Sequence, residues 1–140
     1  MNLKNQSAGF YTSAVAALLA VVGVIAYLVN CGTAYYISKA TNPLITVCGL
    51  AAAVVLAVAI VLAQKGTNVV VDCLTVVAPV LMMVATILLI GLRVGDIASV
   101  MTFENNASTM ADTTSVLVAI VCLLVSTVAS LVASFQEISK

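Results

Sequence analysis

Four long apolar runs alternate with short polar breaks along this chain. The runs are Tyr11–Asn30, Leu44–Ala63, Val69–Leu92 and Ser115–Phe135. Each reaches the roughly 20 residues that a helix needs to cross the hydrocarbon of a bilayer. Backbone amides have no water to bond inside lipid, so the runs are predicted as α-helices that satisfy themselves. The breaks carry turn and cap chemistry. Asn42-Pro43 opens the second run, with proline where its missing N–H costs nothing. Gln64-Lys65-Gly66-Thr67-Asn68 is a short polar turn, and Asp112-Thr113-Thr114-Ser115 offers several N-cap candidates for the fourth run. Gly91 and Gly95 flank Arg93 at the end of the third run, so Arg93–Thr114 is predicted as the longest connection. Within it Ile97, Val100, Met101 and Phe103 form either a single amphipathic turn lying on the membrane interface or an ordinary loop dotted with apolar residues.

The predicted fold is therefore an all-α integral membrane protein. It is a four-transmembrane-helix antiparallel bundle with short loops, in one domain over residues 1–140. The first run is longer than the hydrophobic segment of a signal peptide. Leu28-Val29-Asn30-Cys31-Gly32 resembles the lipobox of bacterial lipoproteins, whose cysteine becomes lipidated. Asn30 departs from it where that motif takes Gly, Ala or Ser.

Two kinds of stripe appear when the runs are wound at 100° per residue. On the third, Asp72, Thr75, Pro79, Thr86 and Arg93 share a sector of about 60°. This is the candidate polar intramembrane face. Asp72 lies about one turn into its helix, on the side of Lys65 and near the positive end of the helix dipole. On the fourth, Ser115, Ala119, Cys122, Ser126, Ala129, Ser130 and Ala133 make a small-residue face. Gly9, Ser13, Ala16, Ala20, Gly23, Tyr27 and Cys31 make a similar one on the first. Small residues at this spacing let helices approach closely, and serine hydroxyls bond across the seam. Gly23, Ser126 and Ser130 are the candidate packing residues, within the chain or between copies of it.

Composition narrows the function. Apolar residues make up 64% of the chain and charged residues 7%, and the net charge is zero. Nothing here supplies the concentrated basic surface that nucleic acid requires. Histidine is absent, which removes the commonest general base and metal ligand. Cys31, Cys48, Cys73 and Cys122 make no C-x-x-C pair, and the last three sit in apolar runs as small hydrophobes. No catalytic, cofactor-binding or metal-binding residue is predicted, and the chain is not expected to be an enzyme. The Asn5-Gln6-Ser7 and Asn106-Ala107-Ser108 sequons matter only in a glycosylating host.

The predicted partners are the lipid bilayer and another membrane protein or a second copy. The expected function is that of a non-enzymatic accessory or assembly subunit in the cell membrane. The alternative is a small oligomeric transporter or channel using the Asp72, Thr75, Pro79 and Thr86 face. Lys4, Lys65 and Lys140 lie on one side of the predicted topology, against Lys39 and Arg93 on the other. By the positive-inside rule both termini are expected in the cytoplasm.

Overall fold

Four helices account for nearly all the residues described by the computed structural model, which are 7–66, 69–136 and 138. They are α1 (Ala8–Cys31), α2 (Pro43–Ala63), α3 (Val69–Thr102) and α4 (Ala107–Ser134), and no strand occurs among these residues. All four are long and apolar enough to span a membrane. Lys4, Lys140, the Asn5–Ser7 sequon's first two positions and the Thr67-Asn68 half of the second turn lie outside the described residues.

Consecutive helices run antiparallel, and α4 closes back on α1, so each helix packs against two neighbours. The middle of the ring is filled by Ala16, Ala20, Ala52, Leu56, Ala78, Met82, Leu89 and Leu123, all fully buried. The outer surface is just as apolar. Leu18, Val54, Val80, Ile87, Val121 and Val128 all point outward. In water this would be one continuous hydrophobic patch far beyond what a soluble protein shows. In lipid it is the expected exterior.

Close packing between α1 and α4 rests on small residues. The Ser126 hydroxyl donates to the Ala16 carbonyl at 2.6 Å. A Cβ at Gly23 would come within 2.9 Å of Leu123 Cγ. Gly49 plays the same part between α2 and α1, where a Cβ would collide with Val24.

The ends of α3 and α4 differ from the sequence-based expectation. Arg93–Thr114 is not a connection: α3 runs on to Thr102 and α4 starts at Ala107. The reason is local. Asn106 accepts from the backbone amides of Ser108 and Thr109 while Thr109 Oγ1 takes the Asn106 amide, a capping box that starts α4 early. Asp112–Ser115 consequently sit inside the helix and cap nothing. Ile97 and Val100 pack inward as part of α3, so the predicted interfacial turn does not exist as a separate element. The longest connection among the described residues is instead 32–42, between α1 and α2.

Candidate functional site

Asp72 and Arg93 are 21 residues apart on α3, which at 1.5 Å per residue is about 32 Å. That is the thickness of the bilayer hydrocarbon. The two residues are therefore about one hydrocarbon thickness apart along α3. Beyond Arg93, α3 continues for about 14 Å to Thr102 and α4 begins at a similar height. Together they form a hairpin that extends past Arg93, and the 32–42 segment folds along it, with Val100 fully buried and the Tyr35 phenol beside Glu104 in the turn.

Arg93, at the base of that hairpin, is fully buried. Its guanidinium lies 4.7 Å from the centre of the Tyr36 ring. Nη1 reaches Asp96 Oδ2 at 3.4 Å, and Nη2 approaches Cys31 Sγ at 3.7 Å. Asp96 also pairs with Lys39, again at 3.4 Å. Lys39 in turn sits 5.0 Å from the Tyr35 ring, which meets Tyr36 edge-on. Three further ties reach α4. The Tyr35 backbone amide donates to Asp112 Oδ2 at 3.0 Å. Tyr36 Oη bonds Thr113 Oγ1 at 3.2 Å. Asn30 Nδ2 donates to Ser115 Oγ at 3.0 Å and to the Asp112 carbonyl at 3.3 Å. Tyr27 Oη accepts from the Asn42 amide at 3.0 Å and so latches the start of α2. The cluster is a polar clamp that fixes the hairpin to the bundle.

The electrostatics of the clamp follow from its ion pairs. Asp96 beside Lys39 raises the ammonium above its usual range. Glu104 pushes the Tyr35 phenol up, through proximity rather than a well-aligned hydrogen bond, since Tyr35 Oη has no partner of good geometry. Among the described residues no three His, Cys, Asp or Glu side chains gather closely enough to hold a metal ion.

The candidate polar face of α3 is only partly internal. Thr75, Pro79, Thr86 and Arg93 are buried, whereas Asp72 is exposed. Thr75 donates to the Asp72 carbonyl and Thr86 to the Met82 carbonyl, both at 2.8 Å. Thr86 also lies 3.4 Å from Thr127 Oγ1 on α4. These hydroxyls bond carbonyls of their own helix. Among the described residues Asp72 makes no ion pair with Lys65; the pairs that form are Lys39–Asp96 and Arg93–Asp96. Of the packing candidates, Gly23, Ser126 and Ser130 are buried in the bundle, and the last two line its α4 face. Cys122 and Cys31 are only half-buried, Leu123 taking the inward position on α4.

Asn30, Tyr35, Tyr36, Asp96 and Asp112 carry the clamp without having been singled out as a site. Two adjacent tyrosines in a connection, together with an arginine closing an apolar run, were the available signal. Comparison with protein-family models, with curated proteins and with solved structures gives no match. The fold by itself defines a multi-pass helical membrane protein whose four helices form a closed bundle.

Proposed function

We propose that this chain is a non-enzymatic accessory or assembly subunit of the cell membrane, which engages partner membrane proteins through the projecting α3–α4 hairpin. The observation that carries the reading is the hairpin's tip. Phe103 is 88% exposed and Met101 51% exposed, about 12–15 Å beyond the membrane frame set by Asp72 and Arg93. Large apolar side chains held in water on a rigid element mark a protein contact. The clamp supports the same reading, because a fixed hairpin binds without a large ordering cost. Both termini lie in the cytoplasm, which puts the hairpin on the opposite face.

The alternative, a transporter using the Asp72, Thr75, Pro79 and Thr86 face, has less support. Thr75 and Thr86 are bonded to their own backbones, and Ala78, Met82 and Leu89 fill the interior beside them. The test is a photo-crosslinking residue at position 103 in intact cells of the source. The reading expects one discrete adduct with a different membrane protein. Adducts confined to a second copy of the chain, or to lipid, would overturn it. Asp72→Asn is expected to leave that adduct and the folded state unchanged.

A further inference from the structure

At the opposite end of the bundle from the clamp, two spaces between α3 and α4 join end to end. One is a chamber of about 200 Å³ bordered by Asp72, Thr75, Ser134 and Gln136 and, on its apolar part, by Val71 and Ile138. The other is an apolar groove of about 290 Å³ along Val76, Pro79, Met83 and Leu131. Ser134 and Phe135 border both. Asp72 is one turn into α3, so the chamber sits where lipid headgroups meet hydrocarbon, and the groove runs from there toward the bilayer middle.

The chamber is made to accept hydrogen bonds. Thr75 gives its proton to the Asp72 carbonyl at 2.8 Å, and Ser134 gives its own to the Leu131 carbonyl at 2.7 Å. Both hydroxyls therefore offer only lone pairs to the space between them. Gln136 Oε1 accepts from the Thr12 hydroxyl at 2.9 Å, and the Gln136 amide nitrogen is the one side-chain donor left among these four residues. The carboxylate of Asp72 adds a full negative charge, and no Lys or Arg among the described residues pairs with it. The nearby end of α4 adds the negative pole of its dipole, which offsets the positive pole at the start of α3 beside Asp72. Phe135, 88% exposed, stands at the rim, where an aromatic face attracts a cation. A negative, acceptor-lined chamber above an apolar groove complements an amphiphile with a donor-bearing cationic head.

We propose that this site holds one phospholipid with a primary ammonium headgroup. Its ammonium lies at Asp72, Thr75 and Ser134, and an acyl chain lies in the Val76–Pro79–Met83–Leu131 groove. Charge complementarity selects the head, and three N–H donors match the acceptors better than a quaternary ammonium, which has none.

The test reconstitutes the full chain in nanodiscs of equal phosphatidylethanolamine, phosphatidylcholine and phosphatidylglycerol. The protein is then extracted in mild detergent and retained lipid is counted by native mass spectrometry. One phosphatidylethanolamine per chain is expected, enriched roughly tenfold over the other two, a preference equivalent to about one decade in affinity. Asp72→Asn should abolish the headgroup preference with the circular dichroism spectrum and melting temperature unchanged. Leu131→Trp should lower retention of all three lipids, because it fills the groove. Retention in the bulk ratio by the wild-type chain would overturn the proposal, as would a persisting preference in Asp72→Asn. Stabilisation by sodium or calcium chloride with no lipid preference would assign the chamber to a free cation and also overturn it.

Discussion

Arg93 is fully buried, yet its bonding is incomplete: Nε has no partner and the Asp96 contact is long, at 3.4 Å. Its larger contribution is volume and the stacking on Tyr36. Arg93→Met keeps most of the volume, leaves Asp96 paired to Lys39, and is expected to cost less than about 1.5 kcal/mol in a detergent unfolding assay. Arg93→Ala opens a hole under Tyr36 and is expected to cost about 2–5 kcal/mol. Equal losses in the two variants would assign the stability to charge instead. The clamp's pH response follows from Lys39 and Tyr35, both raised in the folded state. A raised folded pKa gives stability that is full below the unfolded value and is lost as pH rises through the folded one. These two groups therefore contribute steadily from pH 6 to 9, and the clamp loosens only above about pH 10. Tyrosine absorbance at 295 nm and melting temperature, followed together, check this; a midpoint near neutrality would contradict it. That Arg93 shares a face with Thr75 and Thr86 was legible from spacing alone. Its burial was not, because the residues that cover it come from the 32–42 connection. Asp72 shows the converse case: the right sector, but too near the helix end to be covered.

Along each helix, packing separates glycines that matter from those that do not. A Cβ at Gly49 would strike Val24, a β-branched side chain with little rotamer freedom. Gly91 has nothing within 4 Å of its would-be Cβ. Gly49→Ala is therefore expected to destabilise the bundle by about 1–3 kcal/mol. Gly91→Ala should be neutral or stabilise it by up to about 1 kcal/mol. On α4, Ser126→Leu should cost about 1–3 kcal/mol by forcing the α1 seam apart. Leu124→Ala, at a lipid-facing position, should cost less. Unfolding in a graded detergent series ranks all four, and the opposite order would mean the wrong faces have been assigned. The membrane-embedded parts of these helices were readable because hydrophobicity and spanning length go together. The far ends of α3 and α4 were not, since polar residues interrupt the apolar ones there and the helix is fixed by the Asn106 capping box and the inward packing of Val100. A cap search that began at Asn106, where Asn-x-x-Thr can pair side chains with backbone amides reciprocally, would have found the start of α4.

At the scale of the molecule, α1 and α2 have about the length of one bilayer crossing, while α3 and α4 are longer. On the proposed orientation, with both termini cytoplasmic, Asn105→Cys in a cysteine-free background should react with an impermeant maleimide on intact cells, and Lys65→Cys should not. These positions avoid the Asn106 cap and the positive φ of Gly66. The reverse labelling would invert the topology without altering the fold. On the proposed placement Asp72 and Arg93 frame the membrane and the hairpin stands beyond it. Val80, Ile87, Val94 and Met101 lie on one outward face of α3, seven residues apart. Spin labels placed singly at these positions, in reconstituted bilayers, report depth by the ratio of oxygen to nickel-chelate accessibility. The account predicts the greatest depth at positions 80 and 87, an interfacial value at 94 and a fully aqueous value at 101; a label at 101 as deep as the one at 87 would contradict it.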